Sequence, residues 1–142
     1  MDRFRWLAWL ALLACAGALA GVPERPRFRV TNPAQGLPST DIEVLARDAD
    51  GYLWIATADG LARYDGIDMR IWRHDPQDPA GLPGNNVQAL LLDAGDRAWI
   101  ATEAGGISVL DARRARFTHY RMATHPQLGS DDVWALARQG DV

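Results

Sequence analysis

Along most of this chain, apolar positions alternate with polar ones in short runs, and turn residues separate the runs. The first run opens with Ile42, Val44 and Leu45 and stops at Asp48-Ala49-Asp50-Gly51. That tetrapeptide predicts a hairpin turn, because aspartate tolerates the tight backbone and glycine accepts positive φ. Tyr52 to Thr57 follows, centred on Trp54 and Ile55; Asp59-Gly60 turns the chain into Leu61 to Tyr64, and Asp65-Gly66 turns it again into Met69 to Trp72. Short β-favouring runs bounded in this way predict four strands. No helical period occurs outside the apolar N-terminus.

The same order is then written again. Gly36-Leu37-Pro38-Ser39-Thr40-Asp41-Ile42 returns 45 residues later as Gly81-Leu82-Pro83-Gly84-Asn85-Asn86-Val87. Trp54-Ile55-Ala56-Thr57 returns as Trp99-Ile100-Ala101-Thr102. The repeats cover 36–65 and 81–111, and the second predicts strands over Val87 to Leu92, Ala98 to Thr102, Ile107 to Leu110 and Arg116 to Tyr120. A third copy begins at Leu128 and reaches Val142 before its tryptophan strand. The recurring positions are candidate structural residues: Leu37, Leu82 and Leu128; Trp54 and Trp99; Thr57 and Thr102; Gly60 and Gly105. Aligned this way, Gly106 is a one-residue insertion. Trp72, Tyr120 and Trp134 read as aromatics that do not recur.

Four antiparallel strands in a repeat of about 45 residues is the blade of a β-propeller. The expected fold is all-β: about two blades with flanking strands, an incomplete ring, preceded by a signal-peptide helix. Phe28-Arg29-Val30 lies upstream of Gly36 much as Arg70-Ile71-Trp72 lies upstream of Gly81, so it is expected to be a lone fourth strand. A closed ring takes at least four blades. Missing blades are therefore expected partners of this chain, which reads as a piece of a longer protein.

The first twenty residues read as an export signal. Arg3 and Arg5 precede an apolar run from Trp6 to Leu13, and Ala18-Leu19-Ala20 forms an A-x-A cleavage pattern before Gly21. Two fates are open, cleavage after Ala20 or retention as an uncleaved anchor, although a full span takes roughly 20 apolar residues. Leu12-Leu13-Ala14-Cys15 adds a third, since it resembles a lipobox whose cysteine is lipidated; its bland reading is a small apolar residue in the signal core. Residues 21–142 form the expected propeller portion. Cys15 is the only cysteine, so that portion has no disulfide and no cysteine zinc site.

Charge narrows the function. A net charge of −3 with interspersed signs leaves no electrostatic footprint for nucleic acid. Asp48-x-Asp50-Gly51 starts like a calcium loop but lacks the bidentate glutamate and flanking helices. Trp54 and Trp99 could stack a sugar, yet one tryptophan per repeat is explained by packing between blades. The three histidines, His74, His119 and His125, have no metal-ligand spacing and read as solvated loop or edge residues. Ser39, Ser108 and Ser130 have no nucleophile-elbow context. Asp41, Glu43 and Glu103 form no evident carboxylate pair. No catalytic residue, cofactor or metal site is expected. A ligand would meet the interblade connections Asn32 to Thr40, His74 to Asn86 and Thr124 to Asp132, which vary in length while the strands do not.

Gly-Leu-Pro-x-x-Asp/Asn-Ile/Val, then Asp-x-x-Gly-x-Leu-Trp-Ile-Gly-Thr, then Gly-Leu-x-Arg-Tyr-Asp is the pattern of two-component regulator propeller repeats. Residues 36–65 resemble it closely, with Ala56 and Ala101 in place of the glycine before the threonine. The second copy departs further: Asp93-Ala94-Gly95-Asp96 inverts the Asp-Gly order and Ala98 replaces the leucine. The resemblance implies a noncatalytic periplasmic sensor, the N-terminal region of a histidine kinase or diguanylate cyclase anchored in the inner membrane by downstream parts. It implies a small-molecule, glycan or protein ligand. The alternatives are an exported propeller enzyme acting on glycans and a structural interaction platform.

Overall fold

The computed structural model describes residues 29–139. The expected signal helix, the cleavage site, Cys15 and Phe28 lie outside them. Eight strands form two four-stranded antiparallel sheets with simple up-and-down order. The first blade holds β1 (Ile42–Arg47), β2 (Leu53–Thr57), β3 (Gly60–Tyr64) and β4 (Met69–Trp72). The second holds β5 (Val87–Leu92), β6 (Ala98–Thr102), β7 (Gly106–Leu110) and β8 (Phe117–Tyr120). All eight strands fall on runs of the sequence that alternate or carry β-branched and aromatic residues.

The ladders show how closely the repeats agree. Ile42 pairs with Thr57 and Val44 with Ala56, leaving Glu43 as a bulge; Val87 pairs with Thr102 and Ala89 with Ala101, leaving Gln88 as the same bulge. An extra residue on one strand increases local twist, so both first strands carry the same bend. β5 packs on β1 and β2, which brings the two sheets together along their first strands. One apolar cluster crosses that junction: Trp54, Ala56 and Leu61 of the first blade with Leu82, Val87, Leu90, Ile100 and Leu110 of the second. Alternation explains the division, since Trp54 and Ala56 point to one side of β2 and Ile55 to the other. Ile55 instead joins Leu37 and Ala62 in a smaller cluster on the far side of blade one.

Three sequence expectations are corrected here. Arg29 and Val30 have no strand structure, so the described part of the 28–30 segment adds no fourth strand. The third copy forms no strand over its described residues either, because a strand needs a hydrogen-bonded neighbour and that segment has none among them. Its start is a 3-10 turn at Pro126–Leu128 capped by Gly129. Leu128 stands before its glycine whereas Leu37 and Leu82 follow theirs, and it is half-buried where they are buried.

The third correction concerns the glycines. Thr57 pairs with Gly60, but Thr102 pairs with Gly106, so Gly106 and not Gly105 is the counterpart of Gly60. The extra residue lies in the turn Glu103-Ala104-Gly105, where Ala104 takes a φ of 53°. Gly60 (φ 131°) and Gly106 (φ 70°) each pass beneath the last carbonyl of the outer strand, Trp72 and Tyr120 respectively. A Cβ at residue 60 would lie 2.8 Å from the Trp72 carbonyl oxygen, whereas one at Gly66 (φ 105°) would meet nothing within 4 Å. Backbone strain alone costs about 1–3 kcal/mol. Gly60→Ala is therefore expected to lower the urea midpoint clearly more than Gly66→Ala; equal shifts would mean that the close approach contributes nothing.

Candidate functional site

Each β1–β2 type turn places one aspartate beneath one tryptophan. Asp48 Oδ2 accepts from Trp54 Nε1 at 2.9 Å, and its Oδ1 accepts from the Tyr52 amide at 2.9 Å. Asp93 repeats the arrangement, accepting from Trp99 Nε1 at 2.9 Å and from the Arg97 amide at 3.0 Å. The turn aspartate read from sequence as a hairpin signal is thus also an acceptor that fixes the indole. Its spacing of six residues from the tryptophan is the same in both repeats and was the available signal.

The guanidinium that balances each carboxylate comes from a different place. Arg63 on β3 donates to Asp48 through Nε at 2.9 Å and Nη2 at 2.6 Å, and lies 3.6 Å from the Tyr52 ring centroid. In blade two Val109 replaces Arg63 as the cross-strand partner of the tryptophan. There Arg97, at the Tyr52 position, supplies the cation: its Nε donates to Asp93 at 2.7 Å. Two substitutions compensate, and the carboxylate keeps one arginine in each blade. The first site is closed, with the Asp48 side chain at 0 % exposure, whereas Arg97 is 53 % exposed.

Burial by itself would raise the Asp48 pKa. The Trp54 indole, the Arg63 guanidinium and the Tyr52 amide outweigh it and hold the group below the usual carboxylate range. Asp93 is lowered in the same manner, burial again opposed by Trp99 and Arg97. A lowered folded-state pKa contributes stability that is complete above the unfolded value of about 3.9 and is lost as pH falls through the folded value. Urea midpoints are accordingly expected to vary little from pH 7 to about pH 5 on account of these two groups. Below about pH 4 they should fall, and Asp48→Asn should flatten that decline.

Aromatic stacking recurs as well. Trp54 stacks on Trp72 at 5.4 Å and 8°, and Trp99 on Tyr120 at 6.1 Å and 14°. Trp72 and Tyr120 hold equivalent places at the ends of β4 and β8, paired with Leu61 and Ile107. They are one repeat position, contrary to the sequence reading, which could not match a tryptophan to a tyrosine. Trp54 is fully buried in the shared cluster; Trp99 is half-buried and lines a 370 Å³ cleft with Leu91, Asp93, Arg97 and residues 136–139.

The threonines differ in their bonding. Thr57 Oγ1 donates to the Gly60 carbonyl at 2.8 Å, while the Thr102 hydroxyl is buried without a partner beside Gly105. Polar latches join consecutive repeats: the His74 amide donates to Asn85 Oδ1 at 2.7 Å, and the Met122 amide donates to Asp131 Oδ1 at 2.6 Å. Both acceptors lie in the interblade connections proposed from sequence as ligand-contacting elements. His119 is not a solvated edge residue. Its Nδ1 lies 2.9 Å from the buried Ser108 hydroxyl, and its Nε2 is buried without a partner.

Arg114 was not anticipated. It is 5 % exposed, has a φ of 59°, and reaches from the β7–β8 turn to the junction. Its Nη2 lies 2.8 Å from Asp96 Oδ2 and 3.8 Å from Asp48 Oδ2, and its guanidinium carbon lies 4.8 Å from the Trp54 ring centroid. The β7–β8 turn closes with the Asp111 amide on the Arg116 carbonyl, whereas in blade one the Asp65 amide closes on Asp68. The two additional residues allow an arginine to reach the junction. Among the described residues no cluster of three or more histidine, cysteine, aspartate or glutamate side chains has metal-binding placement, and no helix is long and apolar enough to cross a membrane.

Two repeated antiparallel sheets joined face to face through a shared core define adjacent β-propeller blades. Residues 36–59 and 81–104 match the two component regulator propeller family, one match in each blade. A stretch of 51 residues is 35 % identical to histidine kinase P4 of Formosa agariphila, covering 36 % of this chain and 4 % of the kinase. The fold is similar to the extracellular domain of BT4673 from B. thetaiotaomicron. That protein is described as a one component system in one solved structure (27 % identity, TM-score 0.53) and as a hybrid two component system in another (26 %, 0.51). Each alignment covers 68 % of this chain and 14 % of that domain. The chain therefore spans a small part of the proteins that it matches.

Proposed function

We propose that this chain is an exported, noncatalytic, ligand-sensing propeller segment of a signal-transducing receptor whose output is a histidine kinase or a diguanylate cyclase. The observation that carries this reading is the repeat match at 36–59 and 81–104. It is supported by relatives named as a histidine kinase and as extracellular domains of one- and two-component systems, and by the signal-like N-terminal sequence, which favours a periplasmic location. The noncatalytic reading is supported by the use of the polar groups: Asp48, Asp93 and Thr57 hold turns and indoles, and Ser108 and His119 engage each other. In this reading, a ligand favours one arrangement of the blades and so biases a downstream element. The test is the nucleotide sequence beyond the Val142 codon. An open frame continuing into a membrane span and a signalling domain is expected; a stop codon there overturns the receptor reading. Turnover of a glycan by the full-length product would overturn the noncatalytic one.

A further inference from the structure

The two sheets meet along β1, β2 and β5 and separate towards their outer strands. A cleft of about 540 Å³ opens in that wedge, between β4 of blade one and the β7–β8 hairpin of blade two. Its aromatic walls are Trp72 and Phe117, and four arginines line it: Arg70, Arg73, Arg114 and Arg116. One carboxylate, Asp78, lines it too, and its Oδ1 already accepts from the Ala80 amide at 3.1 Å. The positive charge is only partly answered. Arg73 pairs with Asp59 at 3.1 Å and Arg114 with Asp96 at 2.8 Å. Arg70 and Arg116 have no ion-pair partner among the described residues, and Arg116 is exposed.

Arg114 is the second, independent sign. It is buried, yet its Nε has no hydrogen-bond partner, and its Nη2 is close to Asp96 as an ion pair without directing an N–H at it. An unpartnered donor on a buried guanidinium is costly unless something accepts from it. Arg70 donates through Nη2 to the Arg114 backbone carbonyl at 2.9 Å and lies 4.7 Å from the Trp72 ring centroid, so its guanidinium is held at the cleft wall. The Arg114 guanidinium lies deeper, its Nη1 donating to the Asp96 and Asp111 carbonyls. Guanidinium groups are suited to planar, bidentate oxyanions.

We propose that this interblade cleft binds a small oxyanion-bearing molecule, a carboxylate or a sulfate, held by Arg70, Arg114 and Arg116 against Trp72. A ligand there touches β4 of one blade and the β7–β8 turn of the next, so it would fasten the blades where their own packing is weakest. The site stands on its own geometry and does not require the receptor reading.

The test is titration of the isotopically labelled full chain with sodium glucuronate and with sodium sulfate at constant ionic strength, followed by the Trp72 indole cross-peak. Glucose and chloride serve as controls. Saturable shifts with at least one anion and none with the controls are expected. Arg116→Ala should weaken that binding by roughly ten-fold or more, as for loss of a charge-assisted contact, and Arg113→Ala, which does not line the cleft, should not. Arg70→Ala is a second variant, compared with wild type by circular dichroism. Absence of saturable shifts with both anions, or an affinity unchanged in Arg116→Ala, would overturn the proposal.

Discussion

Asp48→Ala is expected to destabilise the protein by about 3–5 kcal/mol, as breaking a buried ion pair on one side does. The loss does not reside in the carboxylate alone. Removing it leaves Arg63 with both donors unanswered, leaves the Trp54 Nε1–H buried without an acceptor, and takes a counter-charge from near Arg114. Asp93→Ala removes the indole and guanidinium contacts of a site whose arginine is exposed and which has no counterpart of Arg114, so water replaces much of what is lost. It should cost no more than about 2 kcal/mol. Urea titrations of the two variants at pH 7 measure the difference. Equal losses would mean that the second blade does not close the first site.

Trp54→Ala is expected to cost a further large amount, about 3–5 kcal/mol, as for other buried large-to-small substitutions. The indole is fully buried, stacks on Trp72 and fills the cluster that both blades share. Trp99 has the same bond to its aspartate and the same stacking, but it is only half-buried, so Trp99→Ala should cost clearly less. Asp48→Ala with Trp54→Ala should fall short of the sum of the singles by about 0.5–3 kcal/mol, because the two share a bond. Strict additivity would show that the 2.9 Å contact carries no energy.

Most of the fold could be read from residues because the signal was written twice. Alternation and turn residues placed all eight strands to within one residue at either end, β1 included, which stops at Arg47 just before the Asp48 turn. What escaped the reading depended on geometry that spacing does not encode. The Gly60 and Gly106 equivalence is hidden by a longer turn, and only the ladder register shows it. Trp72 and Tyr120 do one job with different side chains. The role of Arg114 follows from two additional residues and one left-handed backbone angle, and neither leaves a periodic trace. The same holds for the interblade cleft, whose four arginines come from two stretches about 40 residues apart, 70–73 and 114–116, one in each repeat. The turn aspartates were legible as hairpin residues, and the β1–β2 and β5–β6 hairpins bear that out; their side-chain role needed the indole six residues on.

The central claim is that two repeats pack as adjacent blades, one covering the tryptophan of the other. Hydrogen exchange of the two indole Nε1–H groups, read in one deuterium-exchange NMR series, tests it most directly, because exchange requires local or global opening. The Trp54 Nε1–H should exchange much more slowly than that of Trp99. Equal, rapid exchange at both positions would contradict the packing of blade two on blade one.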